Sequence, residues 1–243
     1  MNSTAVLVFA SIEHSARKFS HLAPRAGRTV FAALTFRAVG LGRQAFGEDV
    51  FLSVPANESH EFETTSVRLL PQTGANFGER LLSSIEQVFG LGYERVLVVG
   101  NDSPQLDLPV LVRCKEKFKT ASALLGPDHQ GGIYLLGVTR SNFHLLSGIC
   151  WNSNSDFAQL LLKCQQEEQA AAILDTRSDL DSPADLKRIL QDTKCHVGRE
   201  VRHLLRRLLG SSPGILVPSA GVDFIPSVLS NIRIMNQLPP PLS

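Results

Sequence analysis

The run Val96-Leu97-Val98-Val99 is followed at once by Gly100-Asn101-Asp102-Ser103-Pro104-Gln105-Leu106. A continuous aliphatic run marks a strand buried on both faces, as in a mostly parallel sheet. It stops at Gly100, where polar, turn-forming residues take over. Open α/β sheets bind ligands at the carboxyl ends of their strands. Asp102 is therefore a carboxylate at the rim where such a fold does its chemistry. Asn101, Asp102 and Ser103 together can offer oxygens to a hard divalent cation. The competing reading is local: Asp102 and Ser103 cap a helix that starts near Leu108.

Three more stretches carry residue types that suit a ligand. Gln72-Thr73-Gly74-Ala75-Asn76-Phe77-Gly78-Glu79-Arg80 is a glycine-bearing turn that opens an amphipathic helix running to Phe89. Such a turn can present backbone N–H groups to an anion, although glycines there also serve steric needs alone. Gly126-Pro127-Asp128-His129-Gln130-Gly131-Gly132 is either a backbone that lets a ligand come close or a plain hairpin turn. In Asp179-Leu180-Asp181-Ser182-Pro183-Ala184-Asp185, Ser182, Pro183 and Asp185 form a helix N-terminus. That signature leaves Asp179 and Asp181 unexplained. The one tryptophan, Trp151, sits in a loop.

These residues need a scaffold, and the pattern supplies one. Strands are expected at Thr4–Ala10, Asp49–Val54, Ser66–Leu70, Val96–Val99, Ala121–Leu125, Ile133–Gly137 and Ala172–Leu174. Helices are expected from Thr29 as N-cap to about Phe46, and over Leu108–Lys119, Ser141–Leu146 and Asp156–Gln169. Residues 11–26 and 57–65 read as polar loops. Strands alternating with helices give an α/β domain with a largely parallel sheet, its antiparallel element near Ile133–Gly137.

The chain has 243 residues, 43% of them hydrophobic, which suits one large α/β domain, 1–192, with an appendage, 193–243. Over 198–209 a basic amphipathic helix is expected, and 211–243 is a Pro-rich tail. Together they are a candidate homo-oligomer interface. A net charge of +1 points to neither nucleic acid nor an acidic partner. The four cysteines, Cys114, Cys150, Cys164 and Cys195, lack paired ligand spacing and read as free thiols. With no signal-like or spanning segment, a cytoplasmic location is expected.

Five ordered stretches, Gly74–Arg80, Gly100–Leu106, Gly126–Gly137, Trp151–Ser153 and Asp179–Leu186, resemble an uncharacterised bacterial family of glycosyltransferase-A fold. Its members are labelled transferase 1 of radical-SAM/selenodomain clusters. That family is similar to nucleotidyltransferases such as phospholactate guanylyltransferase. The resemblance spans about residues 4–190. It implies a Rossmann-like nucleotide-diphospho-sugar transferase domain, a nucleotide or nucleotide-sugar donor, and Mg²⁺ or Mn²⁺.

Asp102 would then be the first metal ligand and Asp181 a second acid facing the same site. Gly74, Gly78 and Arg80 would shape the nucleotide pocket. Gly131 and Gly132 would form the acceptor or sugar side, with Trp151 as a stacking wall. The chain departs from the family in two places. Phe19 and His21 stand where the first loop carries a Lys and an Arg, leaving Arg17 and Lys18 as the neighbouring basic residues. Gln130 replaces the Asp of a D-G-G motif. The alternative implied by these losses is a non-catalytic binding or scaffolding descendant.

Overall fold

Alternation within the central strands decides the architecture. In a computed structural model, which describes residues 3–19, 24–62, 66–191, 202–203 and 205–206, strand β1 (Thr4–Phe9) sends Val6 and Val8 into one apolar layer and Ala5 and Leu7 into the other. Strand β4 (Arg95–Val99) does the same with Leu97 and Val99 against Val96 and Val98. Successive side chains of a strand point to opposite faces, so a strand that is apolar throughout needs cover on both. Helices α2 (Pro24–Phe46), α4 (Leu108–Lys117) and α6 (Pro183–Gln191) close the first layer. Helices α3 (Phe77–Gly90) and α5 (Asp156–Gln166) close the second.

Strands β2 (Val50–Val54), β3 (Arg68–Pro71), β5 (Ala123–Pro127), β6 (Ile133–Thr139) and β7 (Ala171–Ile173) complete a seven-stranded sheet of order β3-β2-β1-β4-β6-β5-β7. Strands β1 to β4 pair in parallel, β6 runs antiparallel to both β4 and β5, and β7 is parallel to β5. The single reversed strand restores the direction of β5 and β7 to that of β1. The segments after β1, β3, β4, β5 and β7 therefore all emerge at one edge. This is the α/β domain with a mostly parallel mixed sheet that the alternation predicts.

Local readings fail in four places. Residues 11–26 are not one polar loop. Ile12–Arg17 is a helix, α1, and α2 begins at Pro24. The N-terminus of α1 is held by Glu58, whose carboxylate accepts from Ser11 Oγ at 2.9 Å, Ile12 N at 2.6 Å and Glu13 N at 3.1 Å. Thr29 is thus interior to α2, not its N-cap; proline suits the first helical turn because its missing N–H is not needed there. Residues 57–65 are not simply an exposed loop, because Ala56–Phe62 is a 3₁₀ segment with Glu58 and Phe62 buried. Finally, Asp102 and Ser103 do not cap α4. Asp107 does, accepting from Val110 N at 3.0 Å.

Of the appendage, the described residues Arg202, His203, Leu205 and Arg206 are helical, with Leu205 buried in the first layer. The rest of the expected helix at 198–209, and the tail at 211–243, lie outside the described residues. Cys114 and Cys164 are buried free thiols and Cys150 is an exposed one. No helix of the described residues is long and apolar enough to cross a membrane.

Glu58 is buried and serves three donors, and stranded buried donors cost about 1–3 kcal/mol. Glu58→Ala should lower Tm by about 4–8 °C, and Glu58→Gln, which keeps an acceptor oxygen, by less. Thermal melts followed by circular dichroism check this; a Glu58→Ala melt that overlays the native one contradicts the capping role.

Candidate active site at the carboxyl edge of the sheet

The strand-end segments surround an open cavity of about 690 Å³. Lys18, Arg80, Asn101, Asp102, Gly132, Trp151 and Asp181 line it, seven of the residues singled out from sequence. Its floor is built by backbone ties between distant segments. Leu180 N donates to the Asp102 carbonyl at 2.8 Å, which holds the segment after β7 beside the end of β4.

Lys18, the C-cap of α1, extends its ammonium between two carboxylates. Its Nζ donates to Asp102 Oδ2 at 3.0 Å and to Asp181 Oδ1. Burial by itself would lower the Lys18 pKa, but Asp102 and Asp181 outweigh it and raise the group above the ordinary lysine range. Burial raises the Asp181 pKa, against the opposing pull of Lys18. Asp179, which sequence reasoning left without a role, is the deeply buried third acid. Burial and then the nearby Asp102 charge hold its carboxyl well above the usual range, and Ser103 Oγ donates to it.

Asn101 and Ser103 face inward rather than toward a cation. The Asn101 side chain accepts from Ser15 Oγ at 3.2 Å and donates to Thr35 Oγ1 at 3.2 Å, tying α1 and α2 to the end of β4. Both residues thus position the carboxylates. Of the two basic residues near the first strand, Lys18 lines the cavity; Arg17 does not, and pairs with Glu13 at 2.7 Å on the exposed face of α1. Adjacent helical residues point in different directions, which separates them. Phe19, where the resemblance expects Lys, is buried against Phe31 with ring centroids 5.9 Å apart.

The turn before α3 closes on itself. Asn76 caps the helix, while the Glu79 carboxylate accepts from Ala75 N and from Asn76 Nδ2, each at 2.7 Å. Gly74, at φ +140°, permits that turn and does not line the cavity. From this segment Arg80 lines the cavity. Gly78 lies under Trp151: a Cβ there would come within 2.5 Å of the indole Cδ1. Trp151 thereby lies along the cavity wall beside Phe77, with ring centroids 6.1 Å apart.

The turn from β5 to β6 is a hairpin built around Asp128, whose Oδ1 accepts from Gln130 N at 2.6 Å and Gly132 N at 2.8 Å. Gly131 serves the protein rather than a ligand. Its φ is +95°, and a Cβ would fall 2.1 Å from the carbonyl oxygen of Asn154. Gln130 directs its amide Nε2 at Asp181 Oδ2, 3.5 Å away. Sequence reasoning also passed over His14, which lines the cavity and whose pKa is lowered first by burial and then by the Lys18 charge. Its placement depends on α1 being a helix, and the one local signal for that helix is Ser11, the N-cap that accepts from His14 N at 3.3 Å.

The fold is shared with solved structures described as nucleotide-diphospho-sugar transferases and cytidylyltransferases. Over residues 40–153 the chain matches the family model described as an uncharacterized protein conserved in bacteria, DUF2064. The family resemblance read from the ordered motifs is borne out. No curated protein matches the chain. A solved structure described as a nucleotide-diphospho-sugar transferase from Desulfovibrio desulfuricans superposes with TM-score 0.76 at 19% identity, covering 86% of this chain and 96% of that one. A cytidylyltransferase from Leptospira borgpetersenii gives 0.56 at 12%, covering 95% and 98%. Rv0371c from Mycobacterium tuberculosis, in complex with manganese, gives 0.51 at 18%, covering 79% and 100%. At these identities the likeness is one of fold.

Forcing a side chain at φ +95° against a carbonyl should cost about 1–3 kcal/mol. Gly131→Ala should therefore lower Tm by several degrees and, by pushing on the 150–156 loop, shift the emission of Trp151. Unchanged fluorescence and an unchanged melt would show that the hairpin does not brace that loop.

Proposed function

We propose that this chain is a transferase acting on a nucleotide-activated donor with the help of Mg²⁺ or Mn²⁺. The observation that carries this reading is the convergence of Asp102 and Asp181 on one cationic point in a cavity at the carboxyl edge of the sheet. Among the described residues no group of three or more His, Cys, Asp or Glu side chains is arranged to hold a metal. A pair of carboxylates nevertheless suits Mg²⁺ or Mn²⁺, which keep water or phosphate oxygens in their remaining positions. Asp102 and Asp181 would be the protein ligands. Bound there, a divalent cation would neutralise charge that develops on the phosphate during transfer.

The chain's own groups divide the remaining work. Arg80 offers a guanidinium suited to bidentate phosphate contact, and Lys18 an ammonium at the Asp102–Asp181 pair. Trp151 offers a flat apolar face to a sugar or acceptor ring, and Gly132, packed against the Asp128 carboxylate, lines the same cavity. Gly74, Gly78 and Gly131 act indirectly: Gly74 permits the turn that Glu79 closes, Gly78 leaves room for Trp151, and Gly131 leaves room for the Asn154 carbonyl. Glycosyl and nucleotidyl transfer place the same demands on these groups. A second reading, a nucleotide-binding module without turnover, is favoured by Gln130 standing beside Asp181 in place of an acid.

Melts with nucleoside triphosphates and nucleotide-sugars, each with and without Mn²⁺, test the proposal. A productive ligand at about a hundred times its Kd adds about 2.7 kcal/mol, or roughly 5–10 °C for a chain of this size. Asp102→Asn should abolish the metal-dependent part of that rise. A rise of equal size in the mutant would refute the assignment of Asp102. A metal-dependent rise without product in a donor-turnover assay would select the binding-module reading.

A further inference from the structure

The place where a metal would bind already holds a cation. Lys18 Nζ is 3.0 Å from Asp102 Oδ2 and hydrogen-bonded to Asp181 Oδ1. A divalent ion ligated by the same two oxygens would sit about 2.0–2.1 Å from each, hard against that ammonium. Two positive charges cannot share this space. Nor is Lys18 an incidental surface partner: its side chain is 23% exposed, with those of Asp102 and Asp181 at 26% and 33%. Asp128 and Asp179 line the same cavity, so without Lys18 the acidic wall would be strongly self-repelling.

We propose that Lys18 is the resident cation of this site, a positioning residue whose ammonium holds Asp102 and Asp181 together in the metal-free chain and must leave before those carboxylates ligate a metal. The inference rests on the metal reading given under Proposed function. The resemblance expects a lysine where Phe19 is buried; here the ammonium comes one residue earlier, from the C-cap of α1. It also makes metal loading a competition. Each ion that enters must break two charge-assisted contacts. An anionic donor that accepts the freed ammonium favours loading, because coupling between two ligands is reciprocal.

Titration with Mn²⁺ alone, with the free ion counted by electron paramagnetic resonance, tests this on the native chain, Lys18→Met and Lys18→Gln. Lys18→Gln keeps hydrogen-bond donors without the charge and guards against a Lys18→Met chain that does not fold; circular dichroism melts establish which variants are folded. Removing the competitor should tighten Mn²⁺ binding by roughly tenfold, within the usual range of such couplings. Unchanged or weaker Mn²⁺ binding by the folded variants overturns the proposal. If neither the native chain nor any folded variant binds Mn²⁺, the metal reading itself fails and takes this inference with it. The two failures are thus distinguishable.

Discussion

One ammonium group stands between carboxylates that arrive from the end of β4 and from the segment after β7, and the geometry of the site depends on it. Burial and then the Asp102 charge raise the proton affinity of Asp179, and the Asp102 charge adds to the effect of burial on Asp181. Like charges packed into a partly desolvated cavity repel more strongly than they would in water. Lys18 offsets that repulsion through contacts to two of the three acids, and Ser103 binds the third. The acidic cluster is therefore assembled around a positive centre, which is also the arrangement a metal-dependent phosphate chemistry requires.

Delivering Lys18 to that point takes a chain of further constraints. Glu58 caps α1 from the segment after β2, and Asn101 ties α1 to the end of β4 through Ser15. The reversed strand β6 allows the segments after β5 and β7 to emerge on the same edge as those after β1 and β4. Each tie joins residues far apart in sequence. On the acidic side of the site, Asp128, Asp179 and Asn101 are all engaged in hydrogen bonds. Its more open side carries Arg80, the side chain of a residue whose helix is already capped from within.

Much of this was legible in the sequence, because strand burial and helix signatures are local. The unbroken aliphatic run at β4, the antiparallel strand near Ile133 and the Ser182-Pro183-Asp185 helix start all follow from nearest-neighbour chemistry. Asp102 stood out as a carboxylate at a strand end, with helix capping as its competing reading, and Asp181 as one that no helix signature needed. The first loop was illegible for the opposite reason: α1 is held by a carboxylate from another segment, so its own residues look like a polar linker. The inward orientation of Asn101, and the separation of Lys18 from Arg17, follow from that hidden helix, while Ser103 turns to Asp179 in the segment after β7. Likewise Gly131 looked like a ligand-approach glycine, yet its close neighbour is the Asn154 carbonyl.

The central claim is that Asp102 and Asp181 form a divalent-cation site that Lys18 vacates. The most direct measurement is anomalous diffraction at the manganese edge from crystals soaked with Mn²⁺ and a nucleoside diphosphate. The account predicts a single strong peak within ligand distance of Asp102 and Asp181, with the Lys18 ammonium moved off the midpoint between them. Manganese bound elsewhere, or Lys18 still bridging both carboxylates in crystals where nucleotide fills the cavity, would contradict it.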